Sequence, residues 1–401
     1  MSKKKVVLHF FGPILFATLT LGCAGTPQMT KGFLPVEEVA RFSEMEKSTI
    51  SFSPQSFDNT ALGNKAQLVH HIEHTGFHLY NAAAFVNPQK GVLVGGAGLR
   101  IGTTADGGLN WEELRLSRYA NMLHSVALGK EGAFAVGETP FILKSDAELK
   151  NWKALPLKTL EGLGEGELTL YKIRFNGDIG FAAGVHSTYG APQRPLLLKT
   201  VDGGVHWDVM ATKGLEKDST AISDISLPHP HTAFIVTQQG LAHKSVDGGS
   251  TWETVFTTAS PGPPLNSIAF KDGKTGFLGG MGGQLHFTDD GGANWQRPPE
   301  LKGTGHWNFS DLEYLPNGML ALTTAADDYD ERPVFAFATD GNGGGGLHPL
   351  LSKQRPSIFF EGDSYDIFPV DTEHLMVVDR NNVYLVNTKN IVPKTNRKEN
   401  K

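Results

Sequence analysis

The chain has 401 residues, of which 47 are glycine and one is cysteine, and its formal net charge is −6. A hydrophobic content of 39% excludes disorder over most of the length, because that much apolar side chain collapses in water. The single cysteine excludes an intramolecular disulfide and a cysteine-rich metal centre. The acidic balance argues against nucleic-acid binding through a basic surface. At roughly 150 residues per domain, the length suggests two or three domains, and the glycine excess over an average near ~7% needs an explanation.

Residues 1–22 have the order of an export signal. Three lysines precede a mostly apolar segment, Val6–Leu21, and small residues follow it, which is the arrangement of a signal peptide. The apolar segment is too short, and too broken by Gly12 and Pro13, for a membrane-spanning helix of about 20 residues. The sequence around the single cysteine, Cys23, resembles the lipobox of bacterial lipoproteins. That resemblance implies that Cys23 is acylated and becomes the mature N-terminus.

One position departs from the lipobox pattern, since Thr20 stands where an aliphatic residue is usual. The alternative is a conventional signal peptide cleaved near Ala24. On the lipoprotein interpretation, Ala24 resembles the residue that follows the cysteine in lipoproteins sent to an outer membrane. We therefore expect an exported protein of the cell envelope, held by a lipid at Cys23 on the periplasmic face of an outer membrane or on the cell surface. The lipid is the only expected contact with the membrane, and residues 23–50 are expected to form a tether.

One pattern recurs after the predicted tether: a hydroxyl residue, a variable residue, aspartate, two glycines, two variable residues and tryptophan. The four clear copies of this Asp-Gly-Gly turn contain Asp106 and Trp111, Asp202 and Trp207, Asp247 and Trp252, and Asp290 and Trp295. A degenerate copy, Ser145–Trp152, keeps the hydroxyl and the tryptophan without the glycines. The five tryptophans are 41, 55, 45 and 43 residues apart, and this period predicts a repeat architecture.

Short apolar runs precede and follow each turn. In the unit that contains Trp295, alternating apolar residues occur in Leu265–Phe270 and Gln284–Thr288, with a glycine-rich segment between them. Period-two alternation over four to eight residues, bounded by Gly, Asp and Asn, predicts β-strands. Four strands in a unit of about 40 to 45 residues predict one blade of a β-propeller.

We therefore predict an all-β fold, a seven-bladed β-propeller of four-stranded antiparallel blades, over residues 51–390. The seven units begin near Leu79, Met122, Leu168, Ala221, Leu265, Trp307 and Tyr365. The seventh unit contains only three predicted strands, so its outer strand is expected from the N-terminal side, within Ser51–Phe52 or Gln67–His74. Such a strand would close the ring and remove its exposed edges. Six or eight blades are also compatible with the sequence, and residues 391–401 are expected to form a basic polar tail.

The turns have a predictable structural role. The aspartate can accept backbone N–H groups of its own turn, and glycine adopts positive φ without the penalty of a Cβ atom. The hydroxyl residue can hold the start of the turn, and the tryptophan ring can pack against neighbouring strands. These turns account for much of the glycine excess.

The turn sequence resembles the Asp-box, also called the BNR repeat, and four copies at blade spacing are a specific signal for an Asp-box propeller. The segments Gly95–Ile101 and Gly279–Leu285, each followed by a turn, are similar to those of the photosystem II stability and assembly factor family. This resemblance implies a seven-bladed propeller that acts as a non-catalytic assembly scaffold on the lumenal side of a photosynthetic membrane. Similar domains occur in exported proteins of bacteria that do not photosynthesise, so the sequence leaves the host open.

Sialidases and related glycoside hydrolases also carry Asp-boxes, which makes a sialidase-like glycosidase the alternative function. Such an enzyme needs an arginine cluster, a tyrosine nucleophile with an acidic partner, and an aspartate as general acid and base. The Arg-Ile-Pro signature is absent, because Arg194, Arg297, Arg332 and Arg355 are each followed directly by proline. We assign no catalytic residue. Arginine, tyrosine and paired carboxylates converging at the channel would favour the glycosidase, whereas scattered polar and apolar groups would favour the scaffold.

Two segments contain residue types that bind metal ions. His70–His78 includes four histidines and a glutamate, and imidazole and carboxylate are good ligands. Alternate residues of a strand point to opposite faces, so this cluster is divided and a polar exposed face is the favoured interpretation. Asp327–Glu331 could hold Ca²⁺ through its carboxylates, with a solvated acidic loop as the favoured interpretation. We predict neither a metal site nor a cofactor.

The sequence thus predicts a binding protein, a monomeric propeller that presents loops to a protein complex of the envelope or membrane and not to nucleic acid. Because the turns are expected to be structural, the binding surface is expected away from them, at loops near the central channel. The insertions His186–Pro195 and Ala325–Arg332 are the candidate loops.

Overall fold

The computed structural model describes residues 47–51, 55–59, 64–71 and 80–388. The last range has gaps at residues 97, 117–120, 140, 158–162, 164–165, 216–219, 259–261, 299–306, 326–333, 340, 343–347, 353–365 and 379–381. All described residues belong to one unit, Leu34–Lys401. The predicted signal peptide with Cys23 and the predicted tail, residues 391–401, lie outside the described residues.

Every regular element in this part of the chain is a β-strand. Three strands precede the repeats: β1 (Lys47–Ser51), β2 (Gln55–Asn59) and β3 (Asn64–His71). The next twelve are β4 (Tyr80–Asn87), β5 (Lys90–Gly95), β6 (Arg100–Thr104), β7 (Asn110–Arg115), β8 (Leu123–Gly129), β9 (Gly132–Gly137), β10 (Phe141–Ser145), β11 (Trp152–Pro156), β12 (Glu167–Asn176), β13 (Ile179–Ser187), β14 (Arg194–Thr200) and β15 (Asp208–Val209). The next seven are β16 (Ile222–His229), β17 (Thr232–Thr237), β18 (Leu241–Ser245), β19 (Glu253–Thr257), β20 (Leu265–Phe270), β21 (Gly276–Gly280) and β22 (Leu285–Thr288). The last seven are β23 (Asn308–Tyr314), β24 (Leu320–Ala325), β25 (Val334–Thr339), β26 (His348–Ser352), β27 (Asp366–Pro369), β28 (His374–Val378) and β29 (Asn382–Asn387). No described residue lies in a helix of the length and apolar character needed to span a membrane.

The described strands pair into seven antiparallel sheets, numbered here by the chain order of the repeats. Sheets 2, 3, 4 and 6 have four strands each: β8 to β11, β12 to β15, β16 to β19, and β23 to β26. Sheet 1 contains β4 to β7 with β1 beside β7, and sheet 5 contains β20 to β22. Sheet 7 has the order β2-β3-β29-β28-β27. The predicted all-β propeller of four-stranded antiparallel blades is confirmed.

The first repeat strand of each sheet is its innermost strand. Each of these first strands contacts the first strand of the next sheet, in the order β4, β8, β12, β16, β20, β23 and β27, and β27 also contacts β4. Apolar clusters fill the space between adjacent sheets, as where Phe181 of sheet 3 packs with Ile225 and Trp252 of sheet 4. Burial of such surface is the main favourable contribution to folding.

Six of the described first strands, β4, β8, β12, β16, β20 and β23, contain a register shift at the same place, directly after a buried apolar residue. In β12 the shift lies between Leu170 and Lys172, and in β23 between Phe309 and Asp311. A β-bulge of this kind bends the strand and redirects the side chains that follow. The residues that follow each bulge therefore occupy equivalent positions in their sheets.

The N-terminal strands correct one predicted boundary and add strands to sheets 1 and 7. Strand β1 includes residues 47–50, so the end of the predicted tether, residues 23–50, is an edge strand paired with β7. The fourth strand of sheet 7, expected within Ser51–Phe52 or Gln67–His74, is β3, which overlaps the second segment and pairs with β29, and β2 adds an edge strand beyond it. In sheet 5 the fourth strand is reduced to a single bridge between Phe287 and Gln296.

Candidate binding site among the first strands

The turn at Asp106 shows how the repeated sequence folds. Thr104 Oγ1 accepts a hydrogen bond from Gly108 N and donates one to Asp106 Oδ1, both at 2.9 Å. The Asp106 carboxylate accepts from Asn110 N at 2.9 Å and from Asn110 Nδ2 at 2.6 Å. Burial would raise the pKa of Asp106, but these hydrogen bonds lower it below its usual range. Trp111 is fully buried and its Nε1 donates to Gly108 O, so the predicted hydrogen bonds of the turn are present.

The other clear copies hold their aspartates in the same way. Hydrogen bonds from Thr251 lower the pKa of Asp247 to about 2, and those from Asn294 lower the pKa of Asp290 to about 2. The backbone and side chain of the residue four places later lower the pKa of Asp202 as well. A carboxylate that is ionised and committed to its own turn is a poor proton donor at neutral pH. This geometry supports a structural role for the predicted aspartates.

The degenerate copy reaches a similar geometry without glycine. Asp146 Oδ2 accepts from Asn151 Nδ2 at 2.6 Å, and Trp152 Nε1 donates to Leu149 O at 3.2 Å. Leu149 has a φ of 61°, a conformation that is unusual for a residue with a Cβ atom. Its side chain is fully buried, and this packing offsets the conformational cost.

Each clear turn packs on the hairpin between the first and second strands of its own sheet. The first glycine of the turn donates its backbone N–H to a hairpin carbonyl: Gly107 to Gln89 at 2.8 Å, Gly203 to Asp178 at 2.9 Å, Gly248 to His231 at 2.9 Å and Gly291 to Lys274 at 2.8 Å. The turns and these hairpins therefore lie at the same end of the sheets, which we call the turn face.

Six charged side chains meet where the first strands converge, and we call them the inner cluster. They are Lys172 and Arg174 of β12, Asp224 of β16, Asp311 and Glu313 of β23, and Asp366 of β27. Lys172 Nζ lies 3.3 Å from Asp311 Oδ1 and 3.1 Å from Asp366 Oδ1. Arg174 Nη2 donates to Glu313 Oε2 at 2.8 Å. Sheet 3 is thus joined to sheets 6 and 7 by ion pairs.

The three aspartates of the inner cluster also bind backbone N–H groups of the following sheet. Asp224 Oδ2 accepts from Ile268 N at 3.0 Å, Asp311 Oδ2 from Ile367 N at 2.9 Å, and Asp366 Oδ2 from Ala83 N at 3.4 Å. Buried polar groups are normally satisfied in this way. These aspartates therefore link neighbouring sheets as well as facing the two cations.

The inner cluster contains two cations and four carboxylates. Burial raises the pKa of Glu313 to about 7, against the attraction of Arg174, and raises the pKa of Asp366, against the attraction of Lys172. Burial alone would lower the pKa of Lys172, but Asp311 and Asp366 raise it. The cluster is therefore short of positive charge, and a proton or a further cation would stabilise it.

A cavity of about 150 Å³ lies next to the Arg174–Glu313 pair. Its lining includes the aromatic residues Phe175, Phe270 and Tyr314. These residues stand at the ends of the first strands that lead into the hairpins, so the cavity lies toward the turn face. The side chains of Arg174 and Glu313 are each 24% exposed, whereas that of Asp311 is 4% exposed, so the cavity gives access to the first pair.

A family model described as photosynthesis system II assembly factor YCF48 matches residues 70–165 and 167–300, more than half of the chain. The chain belongs to this family. No curated protein matches it. Among similar solved structures, one described as YCF48 bound to D1 peptide has a TM-score of 0.56 and 18% identity, covering 84% of this chain and 97% of that one. YCF48 from Cyanidioschyzon merolae has a TM-score of 0.54 and 16% identity, with coverages of 85% and 98%.

Propellers outside the YCF48 family are similar to a comparable degree. The WD40 β-propeller domain of Doa1 has a TM-score of 0.55 and 13% identity, covering 81% of this chain and 98% of that one. At such identities, structural likeness supports the propeller fold, whereas membership in the YCF48 family rests on the sequence match. The YCF48 family and the fold together support a non-catalytic assembly or binding scaffold.

The structure describes some of the predicted binding loops and metal-binding segments and leaves others outside the described residues. The loop within His186–Pro195 joins β13 to β14 at the end opposite the turn face, with Tyr189 fully exposed at its tip. The loop Ala325–Arg332 and the acidic segment Asp327–Glu331 lie outside the described residues, apart from the strand residue at position 325. His70 and His71 end β3, and the rest of their segment is not described. Within the described ranges, no group of three or more His, Cys, Asp or Glu side chains is arranged to hold a metal ion.

The glycosidase alternative predicted arginine, tyrosine and carboxylates together. Tyr314 lines the cavity and donates its hydroxyl to Gly341 O at 3.0 Å, whereas the ring of Tyr171, which precedes Lys172 in β12, packs with His124. Burial and the nearby Glu138 raise the pKa of Tyr171 to about 12, which makes its hydroxyl a weak nucleophile at neutral pH. Arg174 is paired with Glu313 rather than placed in an arginine cluster. A tyrosine, an arginine and a carboxylate thus share the cavity as Tyr314, Arg174 and Glu313, but its described lining has one arginine rather than the arginine cluster that a sialidase needs.

Sequence reasoning did not find the inner cluster. A usable signal was present, because charged residues interrupt otherwise apolar first strands at one repeat position, in Lys172, Asp224, Asp311 and Asp366. Comparing the repeats position by position would have identified that set as inward-facing. Which cation meets which carboxylate could not have been read in the same way.

Proposed function

We propose that this protein is a non-catalytic scaffold that binds a polypeptide segment of a membrane protein complex during its assembly. The observation that carries the proposal is the YCF48 family match over residues 70–165 and 167–300. A structure described as YCF48 bound to D1 peptide shares the fold of this chain, and that precedent supports a polypeptide as the ligand.

The scaffold is a seven-bladed ring closed between sheets 7 and 1. Contact between β27 and β4 supports this closure. A side-chain-to-backbone hydrogen bond also crosses each boundary between consecutive sheets: Asn81–Leu123, Ser125–Ile173, Asn176–Leu227, Asp224–Ile268, Ser267–Leu312, Asp311–Ile367 and Asp366–Ala83. Such bonds hold neighbouring sheets in fixed register, and a rigid scaffold loses little entropy on binding.

The protein acts as a monomer in the cell envelope, anchored by a lipid on Cys23 at the periplasmic face of an outer membrane or at the cell surface. The signal-peptide pattern of residues 1–22 and the lipobox resemblance at Cys23 support this location. The anchor would keep the propeller close to its membrane partner and raise the effective concentration of each for the other.

Copurification tests the proposal. The full-length chain with a C-terminal affinity tag is purified from detergent-solubilised membranes, beside a Cys23→Ser variant as the anchor control. We expect the wild-type protein to carry a lipid and to copurify with a membrane protein in fixed ratio, and the variant to leave the membrane fraction. Recovery of unaccompanied, unacylated wild-type protein from the periplasm would overturn both the scaffold and the anchor.

A further inference from the structure

The cavity beside the inner cluster combines a reachable carboxylate with aromatic walls. Glu313 binds Arg174 through Oε2, and its other oxygen, Oε1, has no hydrogen-bond partner among the described residues. Phe175, Phe270 and Tyr314 line the same cavity. A carboxylate offers several acceptor sites, and apolar side chains in the lining can pack against the stem of a long charged side chain. Both features suit a positively charged side chain.

We propose that this cavity binds one lysine or arginine side chain of a polypeptide partner, with Glu313 as its counter-ion. The choice of a polypeptide rests on the proposed function, whereas the choice of a cation rests on the site itself. The inner cluster has four carboxylates for two cations. Of these residues Arg174 and Glu313 line the cavity, and the excess of carboxylates in the cluster as a whole favours a ligand that supplies positive charge.

The position of the cavity differs from the sequence expectation, which placed the binding surface away from the turns. The lining residues Arg174, Leu227 and Phe270 lie near the C-terminal ends of β12, β16 and β20, where each strand leads into its hairpin. A polypeptide lying across the turn face can therefore insert one long side chain between the first strands. The turns keep their structural role at the same end of the sheets.

Proton release should accompany binding. Burial raises the pKa of Glu313 to about 7, so this carboxyl is partly protonated at neutral pH. A cation placed beside Glu313 favours its ionised form and displaces that proton. An uncharged side chain of the same size would have no such effect.

Calorimetric titration of the full chain tests the proposal with two probes that differ only in charge. Acetyl-arginine amide is compared with acetyl-citrulline amide, at pH 7 and near-physiological salt, in two buffers of different ionisation enthalpy. We expect weak saturable binding of the arginine probe with release of protons, and no detectable binding of the citrulline probe. Glu313→Gln should weaken arginine binding about tenfold or more, because a charge-assisted hydrogen bond is lost. Glu131→Gln, at an exposed site, is the matched control and should bind normally.

The comparison between probes needs no variant, so it stands even if Glu313→Gln folds poorly. Equal binding of both probes, or no binding of the arginine probe, would overturn the inference. Unchanged binding by a folded Glu313→Gln variant would overturn the assignment of Glu313. Arginine binding without any copurifying membrane protein would support the cation site and count against the scaffold function, so the two failures are distinguishable.

Discussion

The second glycine of the Asp-Gly-Gly turns offers a matched pair of substitutions. Gly204 and Gly292 have the same φ, 86°, so replacing either by alanine imposes a similar backbone penalty. Their surroundings differ. A Cβ atom on Gly204 would stand 2.5 Å from Cε1 of Phe134, whereas one on Gly292 would meet Val255 and Phe234 at 3.5 and 3.6 Å, ordinary contact distances.

The expected losses of stability follow from these distances. An L-residue in the left-handed region costs about 1–2 kcal/mol, and this cost applies to both variants. Gly204→Ala adds overpacking, because the Phe134 ring is fully buried and packs against Phe175 and Trp207. Overpacking of a core typically costs about 1–3 kcal/mol more. Gly204→Ala should therefore lose roughly 2–5 kcal/mol of unfolding free energy, and Gly292→Ala roughly 1–2 kcal/mol.

Urea unfolding followed by tryptophan fluorescence measures the difference. A lower midpoint at constant m-value reports a loss of stability in the native state. Gly204→Ala should have the lower midpoint of the two. Equal midpoints would show that the Phe134 ring moves aside without loss of unfolding free energy. A lower midpoint for Gly292→Ala would refute the packing argument.

Three further predictions concern other parts of the propeller. Trp111→Ala should cost about 3–5 kcal/mol in urea unfolding and more than Trp295→Ala, because Trp111 is fully buried and Trp295 is half-buried; the reverse order would contradict this account. Since the folded pKa of Glu313 is about 7 and thus above its usual value, stability should fall as pH rises from about 4.5 to 7. Glu313→Gln should flatten that slope, and an unchanged profile would argue against the raised pKa. The folded pKa of Asp247 is about 2, so its contribution is complete above about pH 4 and lost as pH falls through 2; Asp247→Asn should remove this acid dependence, as circular dichroism between pH 2 and 5 would measure.

The propeller architecture was predictable because its signals are local. The turn at Asp106 is built from residues no more than seven positions apart, and the same spacing recurs with each copy. Strand alternation and the repeat period then indicate the blades. The single bridge in sheet 5 and the added edge strand β1 in sheet 1 were less predictable. Each depends on the space that neighbouring elements leave.

The candidate site was predictable only in part. Its general place, near the convergence of the first strands, follows from the architecture. The chemistry of that place does not, because Lys172 meets Asp311 and Asp366 from 139 and 194 residues away. Which residues meet over such distances along the chain depends on the β-bulges and on the order of the sheets. Neither can be read from a short stretch of sequence.

The amino-acid sequence by itself determined the repeated turns, the strands and the family, because each depends on residue types at short, fixed spacing. The tertiary structure alone decided which charges share the interior and how many cations face the carboxylates there. It also decided that the reachable pair, Arg174 and Glu313, borders a cavity on the turn face. Burial and the charges of residues from sheets 3, 4 and 6, and not the identity of any one residue, raise the pKa of Glu313.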